Sequence, residues 1–429
     1  MNLAHHLEQS AFFFPDRPAV YQGGVETTYA RLNDSANRVA TALIKLGVRP
    51  GDHIGLCTPN STDWIIFYFG LLKAGAVAVT LSGMLTGEEL ATLIHHARPR
   101  FLYIAPSKFQ EAEGLKQTAG IEKIICSGGD LDFPALMARG SVSFKAVERD
   151  PWDTAAILYT GGTTGTPKGV MLTHEGISIS SYSVAHFERS TETDRALCFM
   201  PFNHVFGQIH IMNATIFSAG CLELLPAFDI DQVMEALEAG RVSKLYAVPT
   251  VYIRLLALGD LEKRLGRLRY CFSAAASLAG EVVKQWIDRT GIKISESYGM
   301  TEGMPITYNH YHRHKVGSVG QPIFGVEVVG LPDREWGERV TAFIVPKPGF
   351  SVSAEELKGF MKSRLSAFKI PKAFIPVKEL PKSPTGKILK RKLIKSLNRI
   401  TTLEERGGLF LGDCPKGNLS PNPGQSSKD

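Results

Sequence analysis

No hydrophobic run in this 429-residue chain is long and unbroken enough to read as a membrane span. The longest apolar stretch, Trp64 to Leu81, is interrupted by Lys73 and Gly75 and reads as a helix followed by a strand. The opening MNLAHHLEQS lacks the basic segment and apolar core of a secretory signal, so the expected location is the cytoplasm. Cysteine is sparse and unpatterned. Cys57, Cys126, Cys198, Cys221, Cys271 and Cys414 lack the spacing of a zinc site or a disulfide framework, and read as small core residues in a reducing compartment. Nor does one sign of charge dominate, since 48 Lys and Arg against 42 Asp and Glu leave +6. Much of that excess falls in Lys382, Lys387, Lys390, Arg391, Lys392, Lys395 and Arg399. The cluster has no interleaved aromatics, and no nucleic-acid partner is expected. His310, His312 and His314 alternate in NHYHRHK but have no Cys or carboxylate close by, so an exposed loop is preferred to a metal site.

What is present is the composition of a globular protein with room for two or more domains, 44% hydrophobic and 21% charged. Helical and strand-like runs alternate, which predicts an α/β fold with largely parallel sheets. Leu32, Ala36, Val39, Ala40, Leu43 and Leu46 recur at helical spacing, with Asp34 placed to cap the helix and Gly47 to end it. Trp64 to Leu72 reads as a helix and Ala76 to Leu81 as a strand. A second series follows, with strands at Ala196 to Met200, Cys221 to Leu225, Lys244 to Val248 and Arg269 to Ser273, and helices at His204 to Ala219 and Ile230 to Ala239.

Between the two series lies YTGGTTGTPKG, Tyr159 to Gly169. Gly161, Gly162 and Gly165 let backbone N–H groups approach an anion, Thr160, Thr163, Thr164 and Thr166 add hydroxyl donors, and Lys168 adds positive charge. Pro167 separates Thr166 from Lys168, so this is a phosphate-holding loop without the Gly-Lys-Ser/Thr succession of a P-loop NTPase.

The loop resembles the signature of the adenylate-forming superfamily, which includes acyl-CoA synthetases, luciferases and peptide-synthetase adenylation domains. Further stretches resemble that family's pattern in order: PFNHVFG (Pro201 to Gly207), SAAASLAGE (Ser273 to Glu281), ESYGMTE (Glu296 to Glu302), VGSVGQP (Val316 to Pro322) and PKSPTGKILKR (Pro381 to Arg391). The resemblance implies a large N-terminal domain of two layered α/β subdomains, 1–329, with an incomplete β-barrel. A shortened C-terminal α+β domain, 330–400, and a disordered tail, 401–429, would follow. GVEVV, Gly325 to Val329, looks like the first barrel strand, yet it runs straight into GLPDREWGERVTAFIV, which looks like a late piece of the C-terminal domain. The piece missing between them carries, in relatives, most of the barrel, a ribose-binding Thr-Gly-Asp, the interdomain hinge and a loop that meets CoA.

By the same resemblance the substrates are a small carboxylic acid, ATP and CoA, with Mg²⁺. The 159–169 loop would hold the β- and γ-phosphates, Glu302 the magnesium, Thr301 a phosphate, and Lys387 both the substrate carboxylate and the α-phosphate. Ala274, Ala275 and Ala276 would line one side of the adenine, with Glu296, Ser297, Tyr298, Gly299 and Met300 completing the nucleotide set. His204 would contact the carboxylate or gate the acyl tunnel. Phe202, Val205, Phe206, Ile209, Ile211 and Met212 favour an apolar acid, and read equally as core. The leading expectation is a fatty-acid–CoA ligase, with an aryl acid such as a cinnamate as the rival substrate. Peripheral membrane association is compatible with it, and the oligomeric state is left open. The rival class, favoured by the missing segment, is a catalytically dead remnant that keeps nucleotide binding.

Overall fold

The computed structural model describes residues 1–160, 168–303, 305–324, 328–333, 337–344, 353 and 373–377. The loop residues Gly161, Gly162, Thr163, Thr164, Gly165 and Thr166, the lysine motif with Lys387, and the tail 401–429 lie outside them. The chain divides into two compact units, Met1–Val326 and Glu327–Asp429.

The first unit is built on two sheets. One has nine strands in the order Gln321–Pro322, Thr307–Tyr308, Ile294–Tyr298, Tyr270–Ser273, Lys244–Ala247, Arg195–Cys198, Cys221–Leu224, Pro18–Gln22, Val25–Thr28, and its middle six are parallel. The other has six, in the order Lys123–Ile125, Phe101–Ile104, His53–Cys57, Val77–Thr80, Thr154–Thr160, Lys168–Thr173, with the last antiparallel to its neighbour. Strands buried on both faces are what a parallel sheet between helical layers requires. Alternate residues accordingly enter different cores. Ala78, Ile54 and Tyr103 join Ala196, Tyr246 and Phe272 in a core between the sheets. Val77, Val79 and Leu102 face an outer core over one sheet, and Leu197, Leu245 and Cys271 face one over the other.

The helices Tyr29–Lys45, Thr62–Lys73 and His174–Glu188 contribute to the middle core, giving five layers. Tyr29–Lys45 buries Leu32, Ala36, Val39, Ala40 and Leu43 on one face, as its 3.6-residue period predicts. Its cap is Thr28, whose hydroxyl accepts the Arg31 N–H at 3.3 Å, rather than Asp34. The strand Val25–Thr28 abuts the helix with no loop between, so the cap falls more than a turn earlier than the apolar spacing suggests. Thr62–Lys73 is buried along most of its length. A Cβ on Gly70 would meet the Val39 side chain at 2.5 Å, so a glycine there permits the two helices to touch. Among the described residues no helix is long and apolar enough to cross a membrane.

In the second unit the strand Val328–Asp333 pairs antiparallel with Gly337–Ile344, which pairs parallel with Ala373–Pro376. Val328 and Val329, expected in an orphaned barrel strand, are instead paired, Val328 with Ala342 and Val329 with Thr341. The strand runs unbroken across Val329 and Gly330, because the backbone on both sides of that join is extended and finds one partner.

Candidate functional site

Arg195–Cys198, Lys244–Ala247, Tyr270–Ser273 and Ile294–Tyr298 run parallel, so their carboxyl ends open on one edge of the nine-stranded sheet. In α/β sheets such edges are where ligands bind. Ser273 pairs with Glu296, which sets the turn Ala274, Ala275, Ala276 beside the end of the neighbouring strand, Ser297 and Tyr298, with Gly299, Met300, Thr301 and Glu302 just beyond. Ala275, Ala276 and Glu302 are exposed, Ser297, Tyr298, Gly299 and Met300 are half-buried, and Thr301 is buried. Glu296 is buried too, and its carbonyl accepts the Asn309 N–H at 3.0 Å, so it stands behind this surface rather than on it. Ala275 has φ +69°, a left-handed conformation costing a residue with a Cβ about 1–2 kcal/mol, a kind of strain that collects at binding turns.

On the six-stranded sheet Thr80 pairs with Leu158, so Tyr159 and Thr160 emerge beside the end of Val77–Thr80. Thr160 pairs in turn with Lys168. The hairpin Thr154–Thr160 and Lys168–Thr173 therefore holds both ends of the glycine-rich loop at that edge. The Tyr159 hydroxyl lies 2.7 Å from His96 Nδ1, and burial pushes its pKa up to about 12, keeping it neutral.

PFNHVFG joins the two edges. The Asn60 side chain, which follows a strand of the six-stranded sheet, donates to the Met200 carbonyl at 2.8 Å and accepts the Phe202 N–H at 2.9 Å. Gln208 Nε2 donates to the Phe202 carbonyl at 2.7 Å and to Thr80 Oγ1 at 3.3 Å. His204 thus stands exposed at the seam, and its Nδ1 accepts the Phe206 N–H at 3.1 Å, which places the proton of a neutral ring on Nε2. The expected helix His204 to Ala219 is a π-helix, Phe206–Asn213, followed by a short α-helix, Ala214–Phe217. π-helical turns are rare and recur at functional sites. The turn closes tightly here, since a Cβ on Gly207 would lie 2.3 Å from the Pro201 carbonyl oxygen. Phe202, Val205, Phe206, Ile209, Ile211 and Met212 all belong to the middle core, and packing accounts for their apolar character.

Four motifs expected to act together are therefore brought to one seam: the hairpin of the phosphate loop, His204, the alanine turn, and the turn carrying Thr301 and Glu302. Reading the sequence missed Asn60 and Gln208, whose partners lie about 140 and 128 positions away. The only local sign of Asn60 is a polar TPNS turn after an apolar strand. His310 and His312 lie in a turn, whereas His314 Nε2 meets the Ile294 carbonyl at 2.8 Å.

Comparison with known proteins shows the family and the fold. The model of the AMP-binding enzyme family matches residues 7–342, and that of the AMP-binding enzyme C-terminal domain matches 322–387. A long-chain-fatty-acid–CoA ligase of Bacillus subtilis is 26% identical over 522 aligned positions, covering 91% of this chain and 93% of that protein. Since 91% of 429 residues is about 390, roughly 130 aligned positions face no residue of this chain. A feruloyl-CoA synthase of Amycolatopsis is 26% identical over 476 positions, covering 88% of this chain and 95% of that one. Among solved structures, ATP-bound MatB from Rhodopseudomonas palustris superposes with a TM-score of 0.70 at 25% identity, covering 93% of this chain and all of that one.

Proposed function

The chain belongs to the family of AMP-binding enzymes, and from that premise we propose that it activates a carboxylic acid with ATP and passes the acyl group to CoA. A carboxylate oxygen attacks the α-phosphorus and pyrophosphate leaves; the CoA thiol then attacks the acyl carbon, loses its proton, and AMP leaves. The observation that supports this most is the seam at which Asn60 and Gln208 tie the two sheet edges together, because phosphate, carboxylate and adenine then have neighbouring places.

In this reading Thr160, Lys168 and the loop between them hold the outgoing phosphates, where negative charge collects. The alanine turn and Tyr298 with Gly299 flank the adenine, and small side chains at 274–276 let a flat ring approach. His204, with its Nε2 proton, donates to the acid's carboxylate and orients it. Lys387 meets the carboxylate and the α-phosphate together. Magnesium prefers one or two carboxylates plus phosphate oxygens and water, and the exposed Glu302 in a turn at the seam fits that donor set. When bound there it would neutralise phosphate charge, with Thr301 beside it. A fatty acid is the first reading of the acid, supported by the similarity to the long-chain-fatty-acid–CoA ligase of Bacillus subtilis. An aryl acid is the second reading, supported by the similarity to the feruloyl-CoA synthase.

Carboxylate-dependent exchange of labelled pyrophosphate into ATP by the purified chain tests the activity. Exchange with a fatty or an aryl acid is expected; none with any acid would leave the catalytically dead remnant as the better reading. Glu302→Gln should weaken magnesium-dependent ATP binding about tenfold or more while leaving magnesium-free AMP binding nearly intact. Equal losses for both ligands would make Glu302 structural.

A further inference from the structure

Behind the seam lies a carboxylate that the proposed reaction does not use. Glu188 closes the helix His174–Glu188 and is fully buried. Four donors converge on it: His210 Nε2 at 3.0 Å, Lys244 Nζ at 3.2 Å, and the hydroxyls of Tyr246 and Tyr308. Burial opposes its charge, but the Lys244 ammonium and the His210 and Tyr246 donors outweigh burial and hold its pKa at about 2. Lys244 is itself anchored by Ser190 Oγ at 2.6 Å.

Each of these groups belongs to a segment that leads to the site. The helix ending at Glu188 begins directly after Lys168–Thr173, the return strand of the phosphate-loop hairpin. His210 sits one π-turn beyond Phe206, meets its ring edge-on at 5.4 Å, and so backs the segment carrying His204. Tyr308 pairs in register with Ser297, at the start of the turn that carries Glu302. Phe272, two residues before Ala274, packs its ring against His210 at 4.3 Å and Tyr308 at 5.2 Å. A buried ion cluster is often no more stable than apolar residues filling the same volume. This one joins four segments that a single substrate would have to touch.

We propose that Glu188 is a positioning residue of the reaction, its carboxylate fixing the segments that carry Lys168, His204, Ala274 to Ala276 and Tyr298 to Glu302 at the spacing one substrate requires. The proposal rests on the ligase reading for its chemistry, but not for its structural consequence.

Glu188→Gln keeps the volume and sets amide hydrogens against donors. In the full chain, acyl-adenylate formation should slow about 10- to 100-fold, with the KM values for acid and ATP changed less than about threefold, as a small misplacement of reacting groups does. Glu8→Gln, which removes the partner of the buried Lys73 elsewhere in the same unit, is the control. It should destabilise comparably and leave the rate within about twofold. Amide hydrogen exchange supplies a readout that needs no turnover. Exchange over residues 201–208 and 297–303 should quicken in Glu188→Gln and not in Glu8→Gln. A wild-type chain without pyrophosphate exchange would overturn the ligase reading alone, and hydrogen exchange would still decide the role of Glu188. Unchanged protection of both segments in Glu188→Gln, or an equal rate loss in Glu8→Gln, overturns the proposal. Should Glu188→Gln not fold, Tyr308→Phe removes one donor and should quicken exchange at 297–303; protection unchanged there overturns it equally.

Discussion

The two compact units assemble by different means. In Met1–Val326, residues as far apart in sequence as Asn60 and Phe202, Thr80 and Gln208, or Glu188 and Tyr308 are joined by buried hydrogen bonds, and the candidate site lies beside them. In Glu327–Asp429 the described strands form a small sheet whose first two members are neighbours in sequence, beginning on a strand that crosses the join at Val329 and Gly330. The contrast suggests a division of labour. On the proposed reading, the first unit's long-range network would recognise ATP and acid, whereas Lys387, in the second unit's sequence, would set how fast bound substrates react.

The largest effect expected from that division is on rate alone. Lys387→Ala should lower acyl-adenylate formation by about two to four orders of magnitude, since one positive charge bridging two reacting anions is lost. ATP binding by the first unit should change little. Single-turnover adenylate yield and equilibrium ATP binding, measured on the same variant, separate the two. An unchanged yield would move the reacting lysine elsewhere, and a matching loss of binding would dissolve the contrast between the units.

A somewhat smaller effect concerns the second half-reaction. By the resemblance, thioester formation needs the C-terminal domain to swing about a hinge that the segment expected to be missing after Val329 would carry, and roughly 130 aligned positions of the Bacillus ligase face no residue of this chain. Acyl-CoA should appear at least about 100-fold more slowly than the roughly 10 per second of an ordinary enzyme, with adenylate retained or hydrolysed. Restoring the family's segment between Val329 and Gly330 should recover the rate. Acyl-CoA formed at an ordinary rate by the unaltered chain would mean that the continuous strand Val328–Asp333 is no obstacle.

Acid tests the first unit from its core. His6 and His174 are both held neutral, with pKa lowered from 6.5 to about 4, by burial first and then by the positive neighbours His5 and Arg149 respectively. The unfolded chain binds more protons at these groups than the folded one between those values. Stability is therefore complete above about pH 6.5 and falls as pH drops toward 4, by on the order of 3 kcal/mol for each histidine. Thermal unfolding followed against pH should show that slope. His174 Nδ1 accepts the Leu3 N–H at 3.0 Å, so His174→Gln can keep an acceptor while removing the titration, and should flatten about half of it. An unaltered slope would place the acid sensitivity in other groups.

What the sequence made legible follows the range of the forces involved. The strand Tyr270–Ser273 was readable, inside the expected Arg269 to Ser273, because an apolar run is a local signal, whereas Ile294–Tyr298 was visible only as the segment that ends in ESYGMTE. Parallel pairing then brought the alanine turn and the Glu302 turn together with no further information. The π-helix Phe206–Asn213 was not readable, since the apolar spacing over 205–216 suits an α-helix and the close approach of Gly207 to the Pro201 carbonyl appears only in the fold. The cap at Thr28 was hidden by the strand it also ends. Val328 and Val329 were assigned to a barrel because they resemble one, while the pairing partner actually present, Gly337–Ile344, decides where a strand belongs. Asn60, Gln208 and Glu188 leave little local trace, because their meaning lies in partners on other elements, from 22 residues away for Glu188 and His210 to 140 for Asn60 and Met200.

Asn60 therefore offers the smallest and most discriminating test. Its amide satisfies one donor and one acceptor of the Met200–Phe202 backbone, and it is itself only 5% exposed. Asn60→Ala leaves the Met200 carbonyl and the Phe202 N–H without that partner, a loss of about 1–3 kcal/mol if water does not replace it. The same change releases the tether between the six-stranded edge and the segment holding His204, so the acid's KM should rise about three- to tenfold while magnesium-free AMP binding at the alanine turn stays within about twofold. Asn60→Asp retains the acceptor for Phe202 and loses the donor to Met200, and should fall between. If Asn60→Ala lowers thermal stability but leaves the acid's KM untouched, the seam is held by Gln208 alone. The long-range network of the first unit would then hold the fold together without tuning the site.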